Sequence, residues 1–93
     1  MKGEMWLYPG ESAQWHFISL PKKNSEAIAK AHPRKKAGFG SIRVTVSIRK
    51  TSWDTSIFPD KRSGAYLLPV KAEVRRKEHL NKGDIISFKI EIP

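Results

Sequence analysis

Apolar and polar positions alternate with a period of two along much of the chain. The clearest run is 41–49, where Ile42, Val44, Val46 and Ile48 interleave with Arg43, Thr45, Ser47 and Arg49. Successive strand side chains point to opposite faces, so this run predicts a strand with one core face and one wet face. Ile86, Phe88, Ile90 and Ile92 interleave with Ser87, Lys89 and Glu91 in the same way and predict the last strand. Residues 52–58 read as the hairpin partner of 41–49, with the turn at Lys50-Thr51, and 65–68 as a further strand stopped by Pro69. Near the start, 5–8 is a short apolar run closed by the turn signal Pro9-Gly10-Glu11-Ser12. In 14–20, Trp15, Phe17 and Ser19 fall on one face and His16, Ile18 and Leu20 on the other. Both faces carry bulk, which predicts a strand covered on both sides, with Trp15 and Phe17, like Phe88, in the core.

Two segments depart from the period of two. After Pro21, Asn24 or Ser25 can cap a short helix through Ala31, with Ala27, Ile28 and Ala31 as its apolar side and Pro33 as its end. In 70–80, Val70 and Val74 share a helical face and Glu73 stands four residues before Lys77, a favourable pairing. Asn81-Lys82-Gly83-Asp84 then forms a turn. The predicted order is β-β-α-β-β-β-α-β. About six short strands and two short helices in one domain, 1–93, predict a mainly β fold closed into a small barrel, because closure removes edges that a short chain cannot otherwise cover.

Composition narrows the class. The chain has no cysteine, so thiol nucleophiles, redox motifs and thiolate metal sites are excluded, and a reducing, cytoplasmic setting is expected. No apolar run reaches the roughly 20 residues of a membrane helix, and 1–6 lack a secretory apolar region. The net charge is +9, from 18 Lys and Arg against 9 Asp and Glu. It is concentrated: 14–63 hold eleven bases and three acids, whereas 1–13 hold one base and two acids. Such a field draws polyanions.

Three histidines, His16, His32 and His79, have no metal-ligand spacing, and Gly38-Phe39-Gly40 is too short for a phosphate loop. Asp54 with Thr55 and Ser56 is a compact acid–hydroxyl group without a base partner, and Asp84 beside Gly83 reads as structural. A non-catalytic protein without cofactor is therefore expected. Two binding constellations remain. Lys71 and Arg75 lie four apart on the second helix; with Trp53, Ser56 and Tyr66 they would make a small anion site, unless they pair with Glu73 or Glu78. Lys22, Lys23, Lys30, Arg34, Lys35 and Lys36, with Phe39, Arg43, Arg49 and Lys50, would make a phosphate-contacting surface, or else a solvated basic face.

Several blocks carry a resemblance. Trp15-x-Phe17 with Leu20-Pro21, Trp53-x-Thr55-Ser56-Ile57 with Pro59, and Gly64-x-Tyr66-Leu67-Leu68-Pro69-Val70-Lys71 through Val74-Arg75 to Leu80-x-x-Gly83-Asp84-x-Ile86 together resemble the prokaryotic family called domain of unknown function 1905. The resemblance runs from about Trp6 to Ile92 and implies a small β-barrel with short helices; it implies no activity. Members are often fused to domains similar to the YdeI or OmpD-associated proteins, and residues 1–93 hold no such segment. The ending, strand–Pro–helix–Leu–Gly-Asp–strand, is also similar to half of a swapped-hairpin barrel of the AbrB type, whose members bind DNA as intertwined dimers; here the stretch from Pro69 to Gly83 is about two residues longer than usual for that type. The expectation is a monomeric or dimeric binding module for an anionic small molecule or a protein partner, with nucleic-acid binding through 22–50 as the alternative.

Overall fold

The computed structural model describes residues 1–9, 15–32 and 40–93. Seven strands and two helices follow one another as β1 (Lys2–Leu7), β2 (His16–Ser19), α1 (Lys22–Ala31), β3 (Ile42–Ile48), β4 (Thr51–Pro59), β5 (Tyr66–Pro69), α2 (Ala72–Lys77), β6 (Ile85–Ser87) and β7 (Lys89–Glu91). The predicted turn at Pro9-Gly10-Glu11-Ser12 falls mostly, and the basic loop 33–39 wholly, outside the described residues.

All strand pairs are antiparallel, in the order β6-β1-β2-β5-β4-β3-β7. The two ends of that order are halves of one segment. β6 pairs with β1 (Gly3 opposite Ile86), and β7 pairs with β3 (Val46 opposite Ile90). Between them, Phe88 exchanges backbone hydrogen bonds with Met1, its N–H donating to Met1 O and its O accepting from the Met1 amine, both at 2.8 Å. The predicted last strand is thus one strand in sequence and two in the ladder. It divides at a buried Phe88 and brings the barrel nearly to closure within a single chain.

The period of two sorts the core as expected on β3: Ile42, Val44, Val46 and Ile48 are buried, joined by Met5, Ile18, Trp53, Ile57, Leu68, Ile86 and Phe88. The β3–β4 hairpin turns at Arg49-Lys50, one residue earlier than predicted, because Ile48 pairs with Thr51 and Arg49 takes a positive φ of 51°. The first helix begins at Lys22 with Pro21 as its N-cap and without a side-chain cap. Proline suits that place, since its φ is preset and it has no N–H to leave unpaired. Ser25, predicted as a cap, is instead buried one turn in, and its Oγ accepts the N–H of Tyr66 at 2.9 Å. Its helix buries Ser25 and Ile28, while Ala27 and Ala31 stay exposed. The second helix is shorter than predicted. Val70 precedes it in extended chain yet is buried beside Val74 in the same core. The predicted Glu73–Lys77 pair forms at 3.6 Å. No helix among the described residues is long and apolar enough to cross a membrane.

Candidate functional site

The register of the first hairpin decides what lies outside the barrel. Met5 pairs with Ile18 and both point inward, so the next pair, Trp6 and Phe17, points outward. Just beyond the two strands come Tyr8 after β1 and Trp15 before β2, joined by the Tyr8 N–H donating to Trp15 O at 2.9 Å. Ring centroids lie 5.3 Å apart for Trp6–Phe17, 6.0 Å for Tyr8–Phe17 and 6.3 Å for Trp15–Phe17, the last pair nearly parallel at 10°. Trp6 Nε1 donates to Ser19 Oγ at 3.0 Å, which ties its indole to β2. The face continues across β5 and β4, where Phe17 is opposite Pro69, and Leu67 is opposite both Ser19 and Phe58.

This corrects the expectation that Trp15 and Phe17 are core. Trp15 is 59% exposed, Tyr8 49% and Phe58 41%, and Phe17 is only half-buried. Small soluble proteins seldom leave so many contiguous large apolar groups open without a binding role.

A cation-bearing depression lies at each end of the ring cluster. The first, of about 280 Å³, is lined by Trp15, His16, Val70, Lys71, Ala72 and Arg75. Lys71 is exposed and carries no ion pair among the described residues; Arg75 Nε donates to Val70 O at 3.2 Å, which ties its guanidinium to the chain that lines the depression. The second, of about 360 Å³, is lined by Trp6, Tyr8, Pro9, Asp60, Arg62 and Leu67. Its carboxylate is already engaged: Asp60 accepts from the Arg62 N–H at 3.2 Å and from Ser63 Oγ at 2.8 Å. That small turn, with Gly64 at φ 74°, presents the Arg62 side chain beside the rings.

Of the predicted anion site, the fold brings Lys71 and Arg75 together and separates them from the rest. Trp53 and Tyr66 are 9% and 4% exposed and belong to the core, and Ser56 sits opposite Arg43 in the β3–β4 ladder; none of the three lines the Lys71/Arg75 depression. Burial pushes the Tyr66 phenol pKa upward. Trp15 and His16 take their places as the wall. Glu78 does not pair with Lys71 or Arg75. It is buried against the β3–β4 turn, where it meets Arg49 at 3.5 Å and accepts Thr51 Oγ1 at 2.6 Å.

The described residues of the predicted basic surface stand on α1, on β3 and in the turn that follows β3. Lys22 packs near Gly64, with Lys23 exposed beside it in the first helical turn. Arg43 lies on the outer face of β3 and Arg49 in the turn that follows it, about 20 Å further along the chain. Between them Thr45 hydrogen-bonds Asp54 at 2.7 Å and is registered with Glu91 on its other side, so the strip between the two arginines is acidic. Arg49 is already engaged by Glu78. Arg34, Lys35 and Lys36 lie outside the described residues. Among the described residues no three His, Cys, Asp or Glu side chains gather to hold a metal ion. A depression of about 540 Å³ along β6 and β7 includes that same committed Arg49 together with Glu91, and no exposed ring.

The family model described as "Domain of unknown function (DUF1905)" matches residues 2–90, nearly the whole chain. The chain belongs to this family. No curated protein and no solved structure matches it. Within the DUF1905 domain, the residues that carried the resemblance mostly build the barrel: Tyr66–Pro69 is β5, and Leu80 to Asp84 forms the turn that leads into β6. The face made by Trp6, Tyr8, Trp15 and Phe17 cuts across those blocks. Sequence reasoning missed it because it took bulk on both sides of β2 to mean cover on both sides. The available signal was the parity of Trp6 and Tyr8, which match Trp15 and Phe17 once the hairpin is paired.

Proposed function

We propose that this DUF1905 domain is a non-catalytic binding module for an anionic ligand, received at the depression between β2 and α2. The observation that carries the reading is the convergence of two cations, Lys71 and Arg75, on an indole that is 59% exposed. A phosphate or carboxylate would meet the ammonium and guanidinium, and the planar or apolar part of the ligand would lie on Trp15. Arginine beside an aromatic wall suits such a ligand, since its fork binds oxyanions with fixed geometry. The net charge of +9 raises the local concentration of any anion before it docks.

Amide shifts of isotope-labelled protein, titrated with inorganic pyrophosphate and with a nucleoside monophosphate, test this. Saturable shifts confined to Trp15, His16 and residues 70–75 are expected, and the double variant Lys71→Ala, Arg75→Ala should abolish them while keeping the dispersed spectrum of the fold. Shifts spread evenly over all basic residues, or unchanged in the double variant, reject the site.

A further inference from the structure

We infer that the ligand is single-stranded nucleic acid, whose bases stack on the aromatic face and whose phosphates meet the cations at its two ends. This deepens the reading above and rests on it. The first depression alone would fit any small anion. The second also sets a cation beside aromatic side chains, Arg62 beside Trp6 and Tyr8, with the Asp60 carboxylate of its lining engaged within its own turn, and Phe17 bridges the two at 5.3 Å from Trp6 and 6.3 Å from Trp15. A site for one small anion does not need the second depression or the bridge. A chain that alternates planar bases with phosphates does need both.

Other occupants fit less well. Duplex nucleic acid hides its base faces in the stack, so it would meet Arg62, Lys71 and Arg75 but leave the rings against its backbone. Single strands expose every base, and aromatic side chains hold them with little sequence preference. Arg62 and Lys71 form no ion pair among the described residues, so both are open to phosphate. A protein partner would also cover the rings; that is one outcome of the test.

Fluorescence anisotropy of a labelled oligothymidylate of about ten nucleotides, within the usual site size, should show saturable binding at about 150 mM salt. A duplex of the same length and an abasic strand should each bind at least about tenfold more weakly. Trp15→Ala should lower affinity about tenfold with an unchanged salt slope, since it removes stacking alone. Tyr8→Ala reads the same effect from the other end, and a thermal melt confirms that each variant is folded. Lys71→Ala with Arg75→Ala should flatten the slope of log affinity against log salt by about 0.7 for each phosphate that the variant no longer neutralises. Equal affinity for the abasic strand, or indifference to both aromatic variants, overturns base stacking. If the oligonucleotide does not bind while pyrophosphate or the mononucleotide still shifts residues 70–75, the strand is refuted and the small-anion site stands. If none of them binds, both fall, and the aromatic face passes to a protein partner.

Discussion

At the scale of single residues, two positions have consequences that burial alone does not reveal. Gly3 lies on β1 where a Cβ would stand 2.6 Å from Ile18 Cγ2 and 2.6 Å from Ser19 O. One of those neighbours is backbone of β2, where Ser19 is registered with Leu67, and cannot move aside without disturbing the β2–β5 pairing. Gly3→Ala should therefore cost about 1–3 kcal/mol, the usual penalty of overpacking, read as a lower urea midpoint with an unchanged slope. Tyr66 supplies a pH dependence. Its phenol is held above the ordinary value of 10.0 by burial, so the folded chain keeps a proton that the unfolded chain releases. The contribution is intact below that ordinary value, and stability falls as pH rises above it, toward the folded value. Denaturation midpoints compared at neutral pH and above pH of about 10 should show this alkaline loss, and Tyr66→Phe should reduce it. A Tyr66→Phe variant with the same alkaline loss would assign the effect elsewhere.

At the scale of elements, α2 is held at its end rather than along its length. Six residues make a helix too short to persist by itself. Its C-terminus is closed by the Leu80 N–H donating to Arg75 O at 2.9 Å, with His79 in the left-handed region at φ 54°. That geometry favours glycine, so His79→Gly should stabilise the domain by about 0.5–1 kcal/mol, seen as a higher melting temperature. Glu78 then ties this helix end to the β3–β4 turn through Thr51 and Arg49. Glu78→Ala strands the Thr51 hydroxyl and should cost about 1–3 kcal/mol, whereas Arg49→Ala, at a largely exposed partner, should cost well under half of that. These ties also explain what the sequence could and could not reveal. The strands were legible because a period of two records which side of each strand is wet, as on β3. The one-residue shift of the hairpin turn and the division of the last strand at Phe88 depend on partners far along the chain. So does the fate of the outer faces. Whether Trp15 meets water or another layer depends on where the helices pack, and both helices turn their apolar residues, Ile28 and Val74, into the barrel core. The Lys71 and Arg75 pair was legible from helical spacing, while its true neighbours, Trp15 and His16, lie more than fifty positions earlier.

At the scale of the whole molecule, the barrel exists because one short segment completes both of its edges. β6 pairs with β1 over Lys2–Glu4 and β7 with β3 over Thr45–Ser47, so each strand presents a shorter open row of donors and acceptors. The arrangement couples the two edges: losing β7 frees β3 and leaves β6 held from its N-terminal side alone, through the turn at residues 81–84. Phe88 fills the core at the junction, and removing a buried phenylalanine typically costs about 3–5 kcal/mol. A domain of this size has only about 5–14 kcal/mol of stability in total. Deleting residues 88–93 removes Phe88 together with the partly buried Ile90 and Ile92, and should leave too little to maintain a cooperative fold. The shortened chain is expected to lose its sharp thermal transition and to self-associate through the opened β1 and β3 edges, as sedimentation would show. The milder variant Phe88→Ala should keep the transition at a lower temperature, with amide exchange accelerated in β1 and β3 together. Acceleration in one of those strands alone would mean that the two edges close independently and that the sheet is an open one whose ends merely meet.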